Sequence, residues 1–139
     1  MRSFLFAAAL ALAATPALAA PSPIEGVWNA PVENSQVELY ACAENVCGRV
    51  LNSDRIRANP ALTDLKNRDE SQRSRTLKGL VMLTGFSGGP KEWRGGSVYN
   101  PEDGGTYHGA IHLIAPDTLK LEGCIIYPFC QTQIWRRAK

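Results

Sequence analysis

GGSVYNPEDGGTYHG, residues 95–109, packs five glycines, a proline and two tyrosines into fifteen residues. Such a stretch can be a phosphate cradle, a calcium loop or the tight end of a β-hairpin. The choice separates a nucleotide or metal protein from a β-scaffold. Its centre, Asn100-Pro101-Glu102-Asp103-Gly104-Gly105, lacks the Lys-Ser/Thr that follows a phosphate loop. It also lacks the alternating acids and closing Glu of an EF-hand. Strand-like runs flank it, Asp-Gly is a turn signal, and glycines supply the positive φ of a tight reversal. The stretch therefore reads as a hairpin, with Trp93–Tyr99 running out, Asn100–Gly105 turning and Thr106 onward running back. Tyr99 and Tyr107 then sit close across the two strands.

The same period of two extends in both directions. Val37, Leu39 and Ala41 alternate with polar neighbours, as do Leu119 and Leu121 with Lys120 and Glu122. Strands are expected over Gly26–Asn29, Ser35–Ala41, Val46–Asn52, Leu77–Phe86, Trp93–Tyr99, Tyr107–Ala115, Thr118–Cys124 and Gln131–Arg136. LKGLVMLTGF, residues 77–86, reads as a central strand or one covered on both faces. Ala115-Pro116-Asp117 and Tyr127-Pro128-Phe129 read as turns. About eight sequential antiparallel strands predict an all-β fold, a small up-and-down β-barrel. Closure removes exposed sheet edges, and an eight-stranded interior is just wide enough for side chains or one small ligand. An open β-sandwich is the alternative. One connection, Ser53–Thr76, is long, polar and charged, and a loop of that length in a compact domain is functional or disordered. It is expected to form a lid over the barrel mouth, with a short helix over Ala61–Lys66 that starts after Asn59 with Pro60 first.

The N-terminus has a different composition. Arg2, an apolar run from Phe4 to Ala14, Pro16 and the small-x-small Ala17-Leu18-Ala19 read as a signal peptide over residues 1–19. Residues 20–139 are then one domain, periplasmic or secreted. No other segment approaches the ~20 apolar residues of a membrane span, so no stable membrane anchor is expected. The formal charge is +2 for the chain, or +1 without Arg2, too near neutral to imply nucleic acid. Four cysteines fall as two close pairs, Cys42/Cys47 and Cys124/Cys130. In an exported protein these imply disulfides. Three connectivities are possible, and pairing within each close pair is favoured because each would pinch a hairpin end. Zinc is disfavoured by the spacings and by the oxidising compartment.

No catalytic set emerges. His108 and His112 have metal-ligand spacing only on a helix. On a strand they share the outward face, opposite Tyr107 and Ile111. There is no Gly-x-Ser-x-Gly elbow and no free thiol, so neither an enzyme nor a cofactor or metal is expected. The densest polar chemistry lies in the long connection: Asp64, Asn67, Asp69, Arg73 and Arg75. There an Arg and an Asp would close the barrel mouth, with Arg75 meeting an anionic or carboxylate ligand. Arg49 lies in an otherwise apolar strand, where an inward arginine needs a buried partner. The aromatic residues Trp28, Trp93, Tyr99, Tyr107 and Trp135 belong to a core or line a cavity.

Taken in order, Val46-Cys47-Gly48-Arg49, Asp64–Asp69, Arg73–Leu80, Trp93-x-Gly95-Gly96-x-Val98–Pro101, Gly105-Thr106-Tyr107 and Thr132–Arg137 form a familiar pattern. It resembles the bacterial exported-protein family known as domain of unknown function 2147, over almost the whole mature chain. Arg68 and Thr76 stand where that family usually has proline, and Asn100 where an Asp is usual. The resemblance implies a lipocalin-like barrel. It also implies that Gly26-x-Trp28 and Arg136 or Arg137 form the seal in which an arginine packs on the tryptophan. The function expected is a non-catalytic binding module for a small, partly apolar or amphipathic molecule. Arg49, Asp64, Asn67, Arg75, Tyr99 and Tyr107 would be polar anchors and Trp93 a wall. The alternative is an inhibitor that binds a hydrolase through an exposed loop and needs no cavity.

Overall fold

The computed structural model describes residues 13–17 and 20–139. The signal peptide expected over residues 1–19 lies largely outside the described residues. Among those described, no helix is long and apolar enough to cross a membrane. Eight strands form: β1 (Gly26–Ala30), β2 (Ser35–Cys42), β3 (Asn45–Asn52), β4 (Val81–Gly88), β5 (Glu92–Asn100), β6 (Gly105–Ala115), β7 (Thr118–Ile126) and β8 (Phe129–Arg137). Each pairs antiparallel with the next, and β8 returns to β1 to close a barrel.

The closing ladder is short, joining only Trp28 to Arg137 and Asn29 to Arg136. Side chains reinforce it. The Arg137 guanidinium lies 4.3 Å from the centre of the Trp28 ring. It donates to the carbonyls of Pro116 (2.9 Å), Glu25 (2.8 Å) and Pro23 (2.7 Å). The Trp28 indole N–H donates to the Ile24 carbonyl at 2.9 Å. The residue on the tryptophan is thus Arg137, while Arg136 donates to the Thr118 hydroxyl.

The inner faces of the strands are filled first at this sealed end. Trp28, Leu39, Leu83, Phe86, Trp93, Ile111, Leu119 and Trp135 are buried in one cluster. Room for the Phe86 ring comes from Gly96 and Gly109, which face each other across β5 and β6. A Cβ on Gly96 would stand 2.4 Å from that ring, and one on Gly109 2.7 Å. The disulfides are Cys42–Cys47 on the β2–β3 hairpin and Cys124–Cys130 on the β7–β8 hairpin.

Two expected elements are corrected. Residues 77–80 are not part of β4. Gly79 takes φ 81° and the strand starts at Val81, while Leu77 and Leu80 pack with Val50 and Ile56 in a second apolar cluster. The short helix is α1 (Asp54–Ala58), not Ala61–Lys66. Ser53 caps it, its hydroxyl accepting the Ile56 N–H at 3.2 Å. Residues 62–64 instead pair with residues 75–77: Asp64 N–H donates to the Arg75 carbonyl (3.0 Å) and Leu77 N–H to the Leu62 carbonyl (2.9 Å).

The 95–109 hairpin forms as β5, turn and β6. Gly104 takes φ 69°, whereas Gly105 does not need the left-handed region. The Gly104 N–H donates to the Asn100 carbonyl at 2.8 Å. A Cβ on Gly104 would also fall 2.0 Å from the Lys66 carbonyl oxygen, so the turn is pressed against the long β3–β4 connection.

Gly109→Val drives two methyl groups into the Phe86 ring. It is expected to lower unfolding stability by about 2–3 kcal/mol through overpacking, read as a fall in the urea midpoint. Gly109→Ala should cost less.

Candidate functional site

At the end opposite the seal, the β1–β2, β3–β4, β5–β6 and β7–β8 connections surround an open cavity of about 590 Å³. Its walls are apolar. Ala30, Val37, Val50, Met82, Val98 and Leu121 come from the strands, with Trp135 deepest. Ile56, Leu62, Leu77 and Leu80 from the β3–β4 connection cover one side. The volume falls within the ~300–1,000 Å³ of small-molecule sites. Charged groups sit among the lining as well. Arg55, on α1, pairs with Glu102 at 2.5 Å and with Glu33 at 3.7 Å, tying three connections together. Tyr107 donates its hydroxyl to Asp103, and both line the cavity.

Four of the expected anchors converge, though as a knot rather than a cavity lining. Asp64 is 1% exposed. Its carboxylate accepts from Tyr99 OH (2.7 Å), Asn67 Nδ2 (2.9 Å) and Arg75 Nε (2.9 Å). The Arg75 guanidinium also lies 5.2 Å from the centre of the Tyr99 ring. The knot fastens the β3–β4 connection to β5. Burial alone pushes the Asp64 carboxyl up. The hydrogen bonds from Tyr99, Asn67 and Arg75, with the Arg75 charge, outweigh it and hold the carboxyl below the usual range. Burial first, then the bond to Asp64, pushes the Tyr99 phenol up. Of this group, only Tyr99 also lines the cavity.

The remaining expectations separate. Tyr107 lines the cavity. Trp93 is 2% exposed within the sealed-end core, and the cavity lining does not include it. Arg49 does not point inward. It lies on the outer face, paired with Glu38 on β2 at 2.7 Å and stacked on Tyr40. Apolar neighbours along β3 suggested burial, but the cross-strand Glu38 offers this charge a solvated partner. Tyr99 and Tyr107 are not directly opposite: Tyr99 pairs with Thr106 and Tyr107 with Val98. His108 is exposed, and His112 lies 3.2 Å from Glu92. Among the described residues, Glu122, Cys124 and Cys130 cluster tightly enough to suggest metal ligands, but both thiols are consumed in a disulfide. Sequence reasoning passed over Arg55, Glu33, Glu102 and the apolar cover. The available signal was Ile56 and Leu62, apolar residues within an otherwise charged stretch.

Residues 26–137 match the family model described as "Uncharacterized protein conserved in bacteria (DUF2147)". The chain belongs to the DUF2147 family. Its barrel is similar to a solved structure from Helicobacter pylori, protein HP1028, described as belonging to the lipocalin family. The TM-score is 0.76 at 21% identity, covering 85% of this chain and 84% of the other. At that identity the likeness is one of fold. No curated protein matches this DUF2147 chain in sequence.

The depressed Asp64 carboxyl makes stability pH-dependent. An unfolded Asp titrates near ~3.9. The Asp64 contribution is fully present above that value and is lost as pH falls through the lower folded value. The protein should therefore lose stability as pH falls below about 4. Asp64→Asn should flatten part of that curve and cost about 1–3 kcal/mol near neutrality. Thermal midpoints measured across the pH range check both.

Proposed function

We propose that this chain is an exported, non-catalytic carrier that holds one small, partly apolar ligand in the barrel cavity. Residues 1–19 would direct export, and the β3–β4 connection would act as a lid. The observation that carries the reading is the cavity, about 590 Å³ with largely apolar walls, charged groups among its lining and a sealed floor. An apolar tail gains about 25 cal/mol for each Å² it buries there, while the charged groups orient a polar head. Two disulfides suit an oxidising compartment. Tyr99 would act as wall and lid anchor at once. Asp64, Asn67 and Arg75 would act on the ligand through the lid they hold.

A neutral apolar dye is expected to bind the purified protein and brighten. Ala30→Phe, which puts a ring into the cavity, should weaken that binding about tenfold or more while the circular dichroism spectrum stays native. Protein recovered from periplasm should carry a ligand in native mass spectrometry. A protein that is ligand-free there and leaves the dye unbound sinks the reading.

One observation favours protein binding instead. The disulfide-braced β7–β8 hairpin exposes Ile125, Ile126, Tyr127 and Phe129, with Tyr127 83% exposed. A hydrolase inhibitor would use such a tip. Ile126→Ser with Tyr127→Ser would then abolish inhibition and leave dye binding intact, because neither residue lines the cavity.

A further inference from the structure

The charges lining the cavity determine which head group it accepts, given the ligand-binding reading above. Four charged side chains line it: Glu33, Arg55, Glu102 and Asp103. Three carboxylates stand against one guanidinium, a formal sum of −2. That guanidinium is already engaged, with Glu102 Oε1 at 2.5 Å and Glu33 Oε1 at 3.7 Å. Asp103 is met by neutral donors, the Tyr107 hydroxyl and the Gly105 N–H. The other nearby cations are outside the cavity. Arg57 pairs with Asp54 at 2.6 Å, and Arg75 pairs with Asp64 at 2.9 Å. Arg68 acts on Asp103 from beyond the lining and leaves the sum negative. Deeper in, the polar groups are uncharged, and the Gln133 carbonyl accepts the Trp135 indole N–H at 2.9 Å.

Among the described residues lining the cavity, a carboxylate head meets no cation besides the engaged Arg55. A cationic head meets Glu33, the looser of the two Arg55 partners, and Asp103. The aromatic side chains of Tyr107 and Phe129 also line the cavity, and ring faces attract ammonium groups. Glu33 is held at φ 51°, ψ 31°, left-handed backbone that is uncommon outside glycine. We infer that the cavity takes a cationic amphiphile, an amine or quaternary ammonium on an apolar tail, and discriminates against anionic heads. This reverses the carboxylate ligand expected at Arg75.

The test uses three probes with one tail, dodecyltrimethylammonium, dodecyl maltoside and dodecanoate, each below its micelle concentration and displacing a neutral apolar dye from the mature protein. The ammonium is expected to bind about tenfold or more tighter than dodecanoate at low salt. The gap should narrow as salt screens the partly exposed carboxylates, the screening length falling to ~3 Å at 1 M. Glu33→Gln with Glu102→Gln releases Arg55 and should abolish or invert the preference. Should that double variant not fold, the wild-type ratio and its salt dependence carry the test. Dodecanoate binding as tightly as the ammonium overturns the head-group inference and leaves the cavity reading standing. Failure of all three probes to displace the dye overturns the cavity reading itself.

Discussion

The barrel depends on one arginine. Backbone pairing between β1 and β8 spans two residue pairs, too few to close a sheet of this size firmly. Arg137 supplies the missing attachment by satisfying three carbonyls from two segments while its plane covers the Trp28 ring. A guanidinium can do this because its donors diverge in a fixed plane whose face remains free to stack. A lysine ammonium has neither the plane nor the fork. The contact also excludes water from the end of the barrel where Trp28, Trp93 and Trp135 are packed.

That seal explains why the cavity lies where it does. The large rings gather at the closed end, and the Gly96–Gly109 pair lets Phe86 occupy the middle of the barrel. Above that level several inward positions are small, Ala30, Val37, Val50 and Val98 among them. Such side chains do not reach across an eight-stranded interior. The β3–β4 connection covers the resulting space with Ile56, Leu62, Leu77 and Leu80, and the Asp64 knot and the Arg55 ion pairs hold it in place. The residues that looked most like ligand anchors in the sequence are therefore mostly those that hold the cover in place.

Strand order, strand number, the hairpin at residues 95–109 and both disulfides were legible, because alternation and turn chemistry are local properties. Less was legible wherever a distant partner decided the outcome. Residues 77–80 carry strand-like apolarity but serve a cluster formed with α1. Arg49 lies among apolar neighbours, yet Glu38 on the adjacent strand draws it outward. Trp93 and Trp135 cannot be told apart by sequence pattern; both pack in the sealed-end core, but Trp135 alone of the two also lines the cavity. Ser53 and Asn59 are equally good capping residues, so the proline at position 60 decided the reading, yet the helix follows Ser53 while Asn59 accepts the Ala61 N–H in a turn. The grouping of Asp64, Asn67, Arg75 and Tyr99 was partly anticipated, whereas its inward-facing, self-satisfied character was not.

The Arg137 contact also affects how the chain reaches its fold. Every other strand pairing joins neighbours in sequence, while Arg137 and Glu25 are 112 residues apart. Bringing such distant ends together costs about 4 kcal/mol of chain entropy, a cost best met after the intervening hairpins have shortened the effective loop. Chain entropy therefore favours late closure, and before it β1 and β8 are both open edges able to pair with another molecule. The same geometry leaves the two ends of the domain side by side. A short linker joining them would turn this long-range contact into a local one, moving the entropic burden to wherever the new ends are cut.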